Sequence, residues 1–81
     1  MDIKKELSWF KKNVNYGGVK PVITVGEYNI KVIQNLYDGK INDLIIYLYK
    51  GDNFTNYINR YDISNNSQFD KCVADIEEIV K

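Results

Sequence analysis

Residues that commonly carry enzyme chemistry are almost absent from this chain. It contains no histidine and one cysteine, Cys72. Histidine is the usual general base near neutral pH and the commonest metal ligand, so a Ser-His-Asp triad, a Cys-His pair and a Cys₂His₂ zinc site are excluded. A single cysteine also excludes an internal disulfide and a CxxC pair. We therefore expect a protein that is not an enzyme and that has no catalytic residue, metal or cofactor.

The one cysteine and the carboxylates near it are the remaining groups that could take part in a reaction or bind a metal. Cys72 is expected to be a small core residue, because it adjoins the apolar Val73 on a predicted helix. The carboxylates of this region are Asp62, Asp70, Asp75, Glu77 and Glu78. A metal site would need them to converge in a pocket, so a solvated helix face is the simpler interpretation. The alternative is docking against a basic groove of another protein, with Asp75 and Glu78 as electrostatic contacts.

Tyrosine occurs seven times, and four of these residues fall on alternating positions of two predicted neighbouring strands: Tyr47, Tyr49, Tyr57 and Tyr61. Tyrosine offers a large amphipathic contact area and is enriched in interface cores. If both helices cover the other face of the sheet, these residues form an exposed surface, and we predict that it binds a protein partner. The alternatives are one helix on each face, or rings that border the core with their hydroxyl groups in water.

Two further uses of the surface remain open. A nucleic-acid-binding or regulatory module would combine base stacking on the tyrosines with the cations of the first predicted helix, Lys4, Lys5, Lys11 and Lys12. The chain has one arginine, which argues against specific phosphate or base recognition. A homodimer that pairs its tyrosine faces is the other alternative.

The overall charge gives no preferred class of partner. The net charge is zero, so no global field attracts the chain to nucleic acid or anionic lipid. Residues 1–20 are nevertheless basic, and residues 51–81 are acidic. No apolar run has the length of a transmembrane helix or a signal peptide. We expect one domain, residues 1–81, in the cytoplasm of a host cell, with no membrane partner.

Apolar spacing predicts a helix at each end of the chain. The first helix has its stripe at i, i+4, i+7 and i+11, namely Ile3, Leu7, Phe10 and Val14. Asp2 is suited to cap it, and Gly17-Gly18 follows its end. The stripe of the last helix comprises Phe69, Cys72, Val73, Ile76, Ile79 and Val80.

Turn chemistry predicts an antiparallel meander between the helices. Gly26-Glu27 suits a two-residue type II′ loop that pairs Val25 with Tyr28, Asp38-Gly39 is a second turn signal, and Gly51-Asp52-Asn53 is a third. The third strand is expected over residues 43–50. Residues 54–63 fit a helix or a strand, and their tyrosine and threonine content favours a strand. After a three-residue turn, this strand would place Tyr57 and Tyr61 beside Tyr47 and Ile45, and Phe54 and Ile58 on the face of Leu44, Ile46 and Leu48. The expected fold is α+β, with an N-terminal helix, a three- to four-stranded antiparallel meander and a C-terminal helix (α-β-β-β-β-α).

In size, composition and element order, the chain resembles small accessory proteins of phages from low-GC bacteria, including some anti-CRISPR proteins that inhibit type II effectors. The segments Met1-Asp2-Ile3 and Ile41-Asn42-Asp43-Leu44-Ile45 are similar in character. The resemblance implies a phage-encoded inhibitor of a host defence complex that occupies a protein surface. Anti-CRISPR proteins that mimic DNA are strongly acidic, whereas this chain is neutral, so binding to a protein surface is the form of inhibition we expect.

Overall fold

The order of helices and strands agrees with the expectation of an α-β-β-β-β-α chain. A computed structural model describes residues 2–52 and 54–81. Its elements are α1 (Ile3–Lys12), β1 (Val22–Val25), β2 (Tyr28–Tyr37), β3 (Lys40–Lys50), β4 (Asn59–Ile63) and α2 (Asn66–Val80). The four strands form one antiparallel sheet in the order β1-β2-β3-β4. The fold is therefore α+β.

Local chemistry explains where the helices begin. The Asp2 side chain accepts a hydrogen bond from the backbone N–H of Lys5 at 3.1 Å, which caps α1. The Asn65 side chain accepts one from Gln68 at 2.9 Å and caps α2 in the same way. Both caps leave the apolar stripe of each helix free to pack on the sheet.

The first two hairpins follow their turn residues. Gly26 has φ +59°, as the first central residue of a II′ turn requires, and Val25 pairs with Tyr28 as expected. Asp38 and Gly39 have φ 53° and 73°, the pair of positive values that a type I′ turn needs. The third strand begins at Lys40, earlier than the predicted residue 43, because this tight turn continues the pairing to the hairpin tip.

The segment before the last strand differs from the expectation. Only Asn59–Ile63 is a strand, and residues 54–58 belong to the connection from β3. The turn expected at residues 51–53 includes Asn53, which lies outside the described residues. Aromatic side chains of this connection pack on rings of β3. The connection therefore folds over the sheet, and pairing with β3 begins only at Asn59.

Both helices lie on the same side of the sheet, and a single core fills the space between the two layers. The α1 and α2 residues in it are Ile3, Leu7, Phe10, Phe69, Cys72, Val73 and Ile76. The sheet contributes Ile23, Ile30, Val32, Leu44, Ile46, Leu48 and Ile63. Cys72 is 2% exposed, which confirms its predicted place in the core. Within residues 2–52 and 54–81, no helix is long and apolar enough for a membrane crossing.

Candidate partner-binding face

The sheet surface opposite the helices is the open face, and it carries every second residue of each strand. Antiparallel partners share a face, so the register defines its members: Val22, Thr24, Asn29, Lys31, Ile33, Asn35, Tyr37, Lys40, Asp43, Ile45, Tyr47, Tyr49, Arg60 and Asp62. Neither of the helices in the described part of the chain packs on it. The prediction of an exposed tyrosine surface required both helices to cover the other face of the sheet, and both helices lie there.

Four aromatic rings make contact at one end of this face and form the aromatic cluster: Tyr47, Tyr49, Phe54 and Tyr57. The ring centroids of Tyr47 and Tyr49 are 6.0 Å apart, and those of Tyr47 and Tyr57 are 5.0 Å apart. Phe54 meets Tyr49 edge to face at 4.9 Å. Such geometries are favourable for aromatic pairs beyond the area they bury.

The members of the aromatic cluster differ greatly in exposure. Tyr49 is 5% exposed, whereas Phe54 and Tyr57 are 42% and 50% exposed. The side chains of Phe54 and Tyr57 therefore pack on the buried ring of Tyr49. Phe54 and Tyr57 provide the apolar area that is available to a partner.

Asn29 holds the loop that carries the outer two rings. Its side-chain N–H donates to the backbone carbonyl of Gly51 at 2.7 Å, and its carbonyl oxygen accepts from the Thr24 hydroxyl at 2.7 Å. Asn29 is 6% exposed, with both polar ends satisfied. A buried polar group with full hydrogen bonding fixes one arrangement of β1, β2 and the start of the β3–β4 loop.

Two cationic side chains, Arg60 and Lys31, lie near the rings on the open face. The Arg60 guanidinium lies 5.6 Å from the Tyr47 ring centroid and pairs with Asp62 at 3.1 Å. The hydrogen bond to Asp62 is the main reason why the pKa of Arg60 is raised further above its usual value. Lys31 lies directly opposite Tyr47 in the β2–β3 ladder and has no carboxylate within ion-pair distance among the described residues.

The expectation that Tyr61 lies beside Tyr47 is wrong. Tyr61 pairs with Ile46 and packs against the core on the side of the helices. Its hydroxyl group donates to the Asp75 carboxylate of α2. Burial, followed by this hydrogen bond, raises the pKa of Tyr61 to about 12.

The six predicted contact residues thus divide between two surfaces. Tyr47, Tyr49 and Tyr57 meet in the aromatic cluster, while Tyr61 and Asp75 meet on the other side of the sheet. Glu78 lies on α2 as well, where its carboxylate accepts from the Lys81 ammonium at 3.2 Å. No single surface contains all six.

The lysines of α1 also lie away from the tyrosine rings, in the helix layer. Lys4 is 3.9 Å from Asp70, and the Lys11 ammonium is 4.4 Å from the Phe69 ring centroid. Both contacts join α1 to α2. The cations and the aromatic rings proposed for nucleic acid are therefore on opposite sides of the sheet.

The described side chains offer little to a metal ion or a nucleophilic reaction. Residues 2–52 and 54–81 contain no group of three or more histidine, cysteine, aspartate or glutamate side chains that could hold a metal. Burial raises the pKa of the Cys72 thiol to about 12, so it is a thiol and not a thiolate at neutral pH. What the open face offers chemically is contact area and charge.

Sequence reasoning missed three residues of this site: Asn29, Phe54 and Arg60. An asparagine within a run of strand formers is an unusual residue that signals a specific hydrogen bond. The apolar character of Phe54 is typical of a core position, whereas its ring lies on Tyr49 at the open face. The position of Arg60 over Tyr47 depends on the exact strand register, which the sequence pattern does not fix.

Comparisons with protein-family models, with curated proteins and with solved structures found no match to this chain.

Proposed function

We propose that this chain is a non-enzymatic protein-binding module whose open face, with the aromatic cluster at one end, is the contact surface. The observation that carries the proposal is the exposure of Phe54 and Tyr57 over a buried Tyr49, on a sheet face that neither helix covers. Aromatic rings on a rigid base are typical of residues that dominate binding energy, because little side-chain entropy is lost when they are covered.

The partner surface is expected to be apolar and to carry a carboxylate. The rings favour aliphatic and aromatic groups, while Lys31 is a cation next to Tyr47 with no anion of its own chain within ion-pair distance among the described residues. A partner carboxylate near Lys31 would complete a charge pair at the edge of the apolar contact. The more specific form of the proposal is an inhibitor of a host defence complex, and it rests on the resemblance in size, composition and element order.

Binding by a matched pair of double variants tests the contact surface. The chain is immobilised and exposed to a lysate of a low-GC bacterium, and the captured protein is identified and purified for titration. Tyr47→Ala with Tyr57→Ala removes two rings of the aromatic cluster. Tyr16→Ala with Tyr37→Ala removes two rings that are 87% and 76% exposed outside the aromatic cluster, in the loop after α1 and at the far end of β2.

The first double variant is expected to weaken binding at least about 30-fold, since two hot-spot truncations each cost about 1–2 kcal/mol. The second is expected to bind like the wild type. Equal affinity of the wild type and of a folded Tyr47/Tyr57 variant would contradict the assignment.

A nucleic-acid titration separates the alternative function from this one. Single- and double-stranded oligonucleotides are titrated at low and at moderate salt. Phosphate contacts would give binding that weakens steeply with salt. We expect no such binding, because the α1 lysines and the rings face different directions.

A further inference from the structure

A second surface, separate from the open face, lies along the outer edge of β4. There a groove of about 700 Å³ separates β4 from the exposed side of α2. Tyr61 lines it from the strand, and Ala74 and Asp75 line it from the helix. The groove has one wall of extended backbone and one wall of helix.

The strand wall is the free edge of the sheet. β4 is the last strand in the order and pairs with β3 alone. Within residues 2–52 and 54–81, no other backbone group bonds to residues 59–63. The outward N–H and C=O groups of a five-residue strand are therefore open to another strand.

The helix wall leaves room for such a strand. Ala74 is exposed, and Cys72, which also lines the groove, is a small buried residue. Because both side chains are small, the space between α2 and the edge of β4 is not filled by the chain itself. Alternate side chains of an added strand would point into this space.

The charge of the groove indicates the chemistry of its occupant. Asp75 accepts hydrogen bonds from two neutral groups, the Tyr61 hydroxyl and the Asn59 side-chain amide. No cation of the described residues lies within ion-pair distance of it, although Lys71 stands four positions earlier on α2. Arg60 and Lys71 also line the groove, but Arg60 pairs with Asp62, and within the described part of the chain Asp75 forms no ion pair and is bonded only by neutral donors.

We propose that the β4 edge binds an extended peptide segment of a protein partner, with a lysine or arginine of that segment against Asp75. The backbone of the segment adds a fifth strand to the sheet, and its alternate side chains enter the groove against Ala74. Backbone hydrogen bonds provide the affinity, and the cation selects the register. This site is on a different surface from the aromatic cluster and does not depend on the function proposed for it.

Selection from a display library of random short peptides tests this site. The wild-type chain is the target, and an Ala74→Trp variant, which fills the groove at an exposed position, removes peptides that bind elsewhere. Glu77→Trp is the matched control, because it places the same ring on an exposed position of α2 that does not line the groove. Enriched peptides are then synthesised and titrated.

The proposal expects enriched peptides that share a lysine or arginine and that lose at least tenfold in affinity with Ala74→Trp but not with Glu77→Trp. Asp75→Asn keeps an acceptor for Tyr61 and removes the charge, so it is expected to weaken binding about tenfold. Backbone N–H groups of residues 59–63 should exchange more slowly with solvent when the peptide is bound. The Tyr47→Ala, Tyr57→Ala variant should bind these peptides normally.

Three results would overturn the proposal. The first is a selection that yields no peptide preferring the wild type over Ala74→Trp. The second is a set of groove-dependent peptides without a cation. The third is self-association of the wild type in sedimentation that Ala74→Trp abolishes, because the occupant would then be a second copy of the chain.

Discussion

The ring centroids of Tyr47 and Tyr57 lie 5.0 Å apart, although Tyr47 belongs to β3 and Tyr57 to the loop that leads to β4. The register of the sheet fixes Tyr47, whereas contacts with other rings hold Tyr57. The loop thereby adds exposed aromatic area to a sheet face that already carries Ile33 and Ile45. This arrangement separates the residues that stabilise the surface from those that a partner can reach.

That separation predicts different costs for two tyrosine truncations. Tyr49→Ala is expected to lower the free energy of unfolding by about 3 kcal/mol, because it removes a buried ring that supports Phe54. Tyr57→Ala is expected to cost about 1 kcal/mol or less, since half of that side chain is already in water. Urea unfolding followed by circular dichroism measures both. A larger loss for Tyr57→Ala than for Tyr49→Ala would mean that the two roles are reversed.

Asn29 is expected to contribute both to the stability of the fold and to partner binding. Asn29→Ala leaves the carbonyl of Gly51 without its donor and is expected to cost about 1–3 kcal/mol of unfolding free energy. It should also weaken partner binding, because the β3–β4 loop loses its tie to β2. Asn35→Ala is the control: it removes one hydrogen bond, to Asp43 at 3.2 Å, on the same face of β2 but away from the loop. Equal binding losses in the two variants would argue against a role for Asn29 in holding the loop.

Gln34 should be the main connection between β2 and the end of α1. Its side-chain N–H groups donate to the carbonyls of Phe10 and Asn13 at 2.6 and 2.8 Å, and its oxygen accepts from the N–H of Asn15 at 2.8 Å. Gln34→Ala is expected to cost about 2–3 kcal/mol, because three backbone groups lose their partner.

Gln34→Glu provides the matched test of this connection. Glutamate keeps the acceptor for Asn15 but cannot donate to the two carbonyls, so it should also destabilise the fold at neutral pH. The measurement is chemical unfolding of all three proteins. A Gln34→Glu variant as stable as the wild type would show that the two donated bonds contribute nothing.

The Tyr61–Asp75 contact predicts a loss of stability at high pH. The pKa of Tyr61 is about 12 in the folded chain, compared with a usual 10.0, so the folded state holds this proton more tightly than the unfolded state. The resulting stabilisation is complete below pH 10 and is lost as the pH rises from about 10 to 12. A Tyr61→Phe variant should therefore lose less stability over this range than the wild type.

Unfolding in urea at a series of alkaline pH values measures this difference. Cys72, whose pKa burial also raises to about 12, contributes a similar decrease in both proteins. The difference between them therefore isolates Tyr61. Parallel decreases in the two proteins would contradict the assigned pKa.

Local turn chemistry explains how far the fold could be predicted. Gly26 and the pair Asp38-Gly39 adopt the positive φ values that their residue types allow, and each fixes a hairpin over a few residues. The two helices could be predicted in the same way, because their apolar stripes and the Asp2 cap are local signals. These features need no information from distant parts of the chain.

The side of the sheet on which Tyr61 lies could not be predicted in this way, because it depends on the number of residues in the irregular loop between β3 and β4. A three-residue turn after β3 would place Tyr61 beside Tyr47, whereas the observed register places it opposite Ile46. Because successive residues of a strand face opposite sides, an odd change in register reverses every side chain. The loop runs longer because Phe54 and Tyr57 pack on rings of β3, a contact between non-adjacent residues.

The most direct test of the open face is an isoleucine methyl spectrum of the chain with and without its captured partner. Ile33 and Ile45 pair on the open face, whereas Ile41 and Ile79 are partly buried on the side of the helices. The account predicts that the methyl signals of Ile33 and Ile45 shift or broaden on binding, while those of Ile41 and Ile79 stay in place. Changes confined to Ile41 and Ile79 would contradict the claim that the open face is the contact surface.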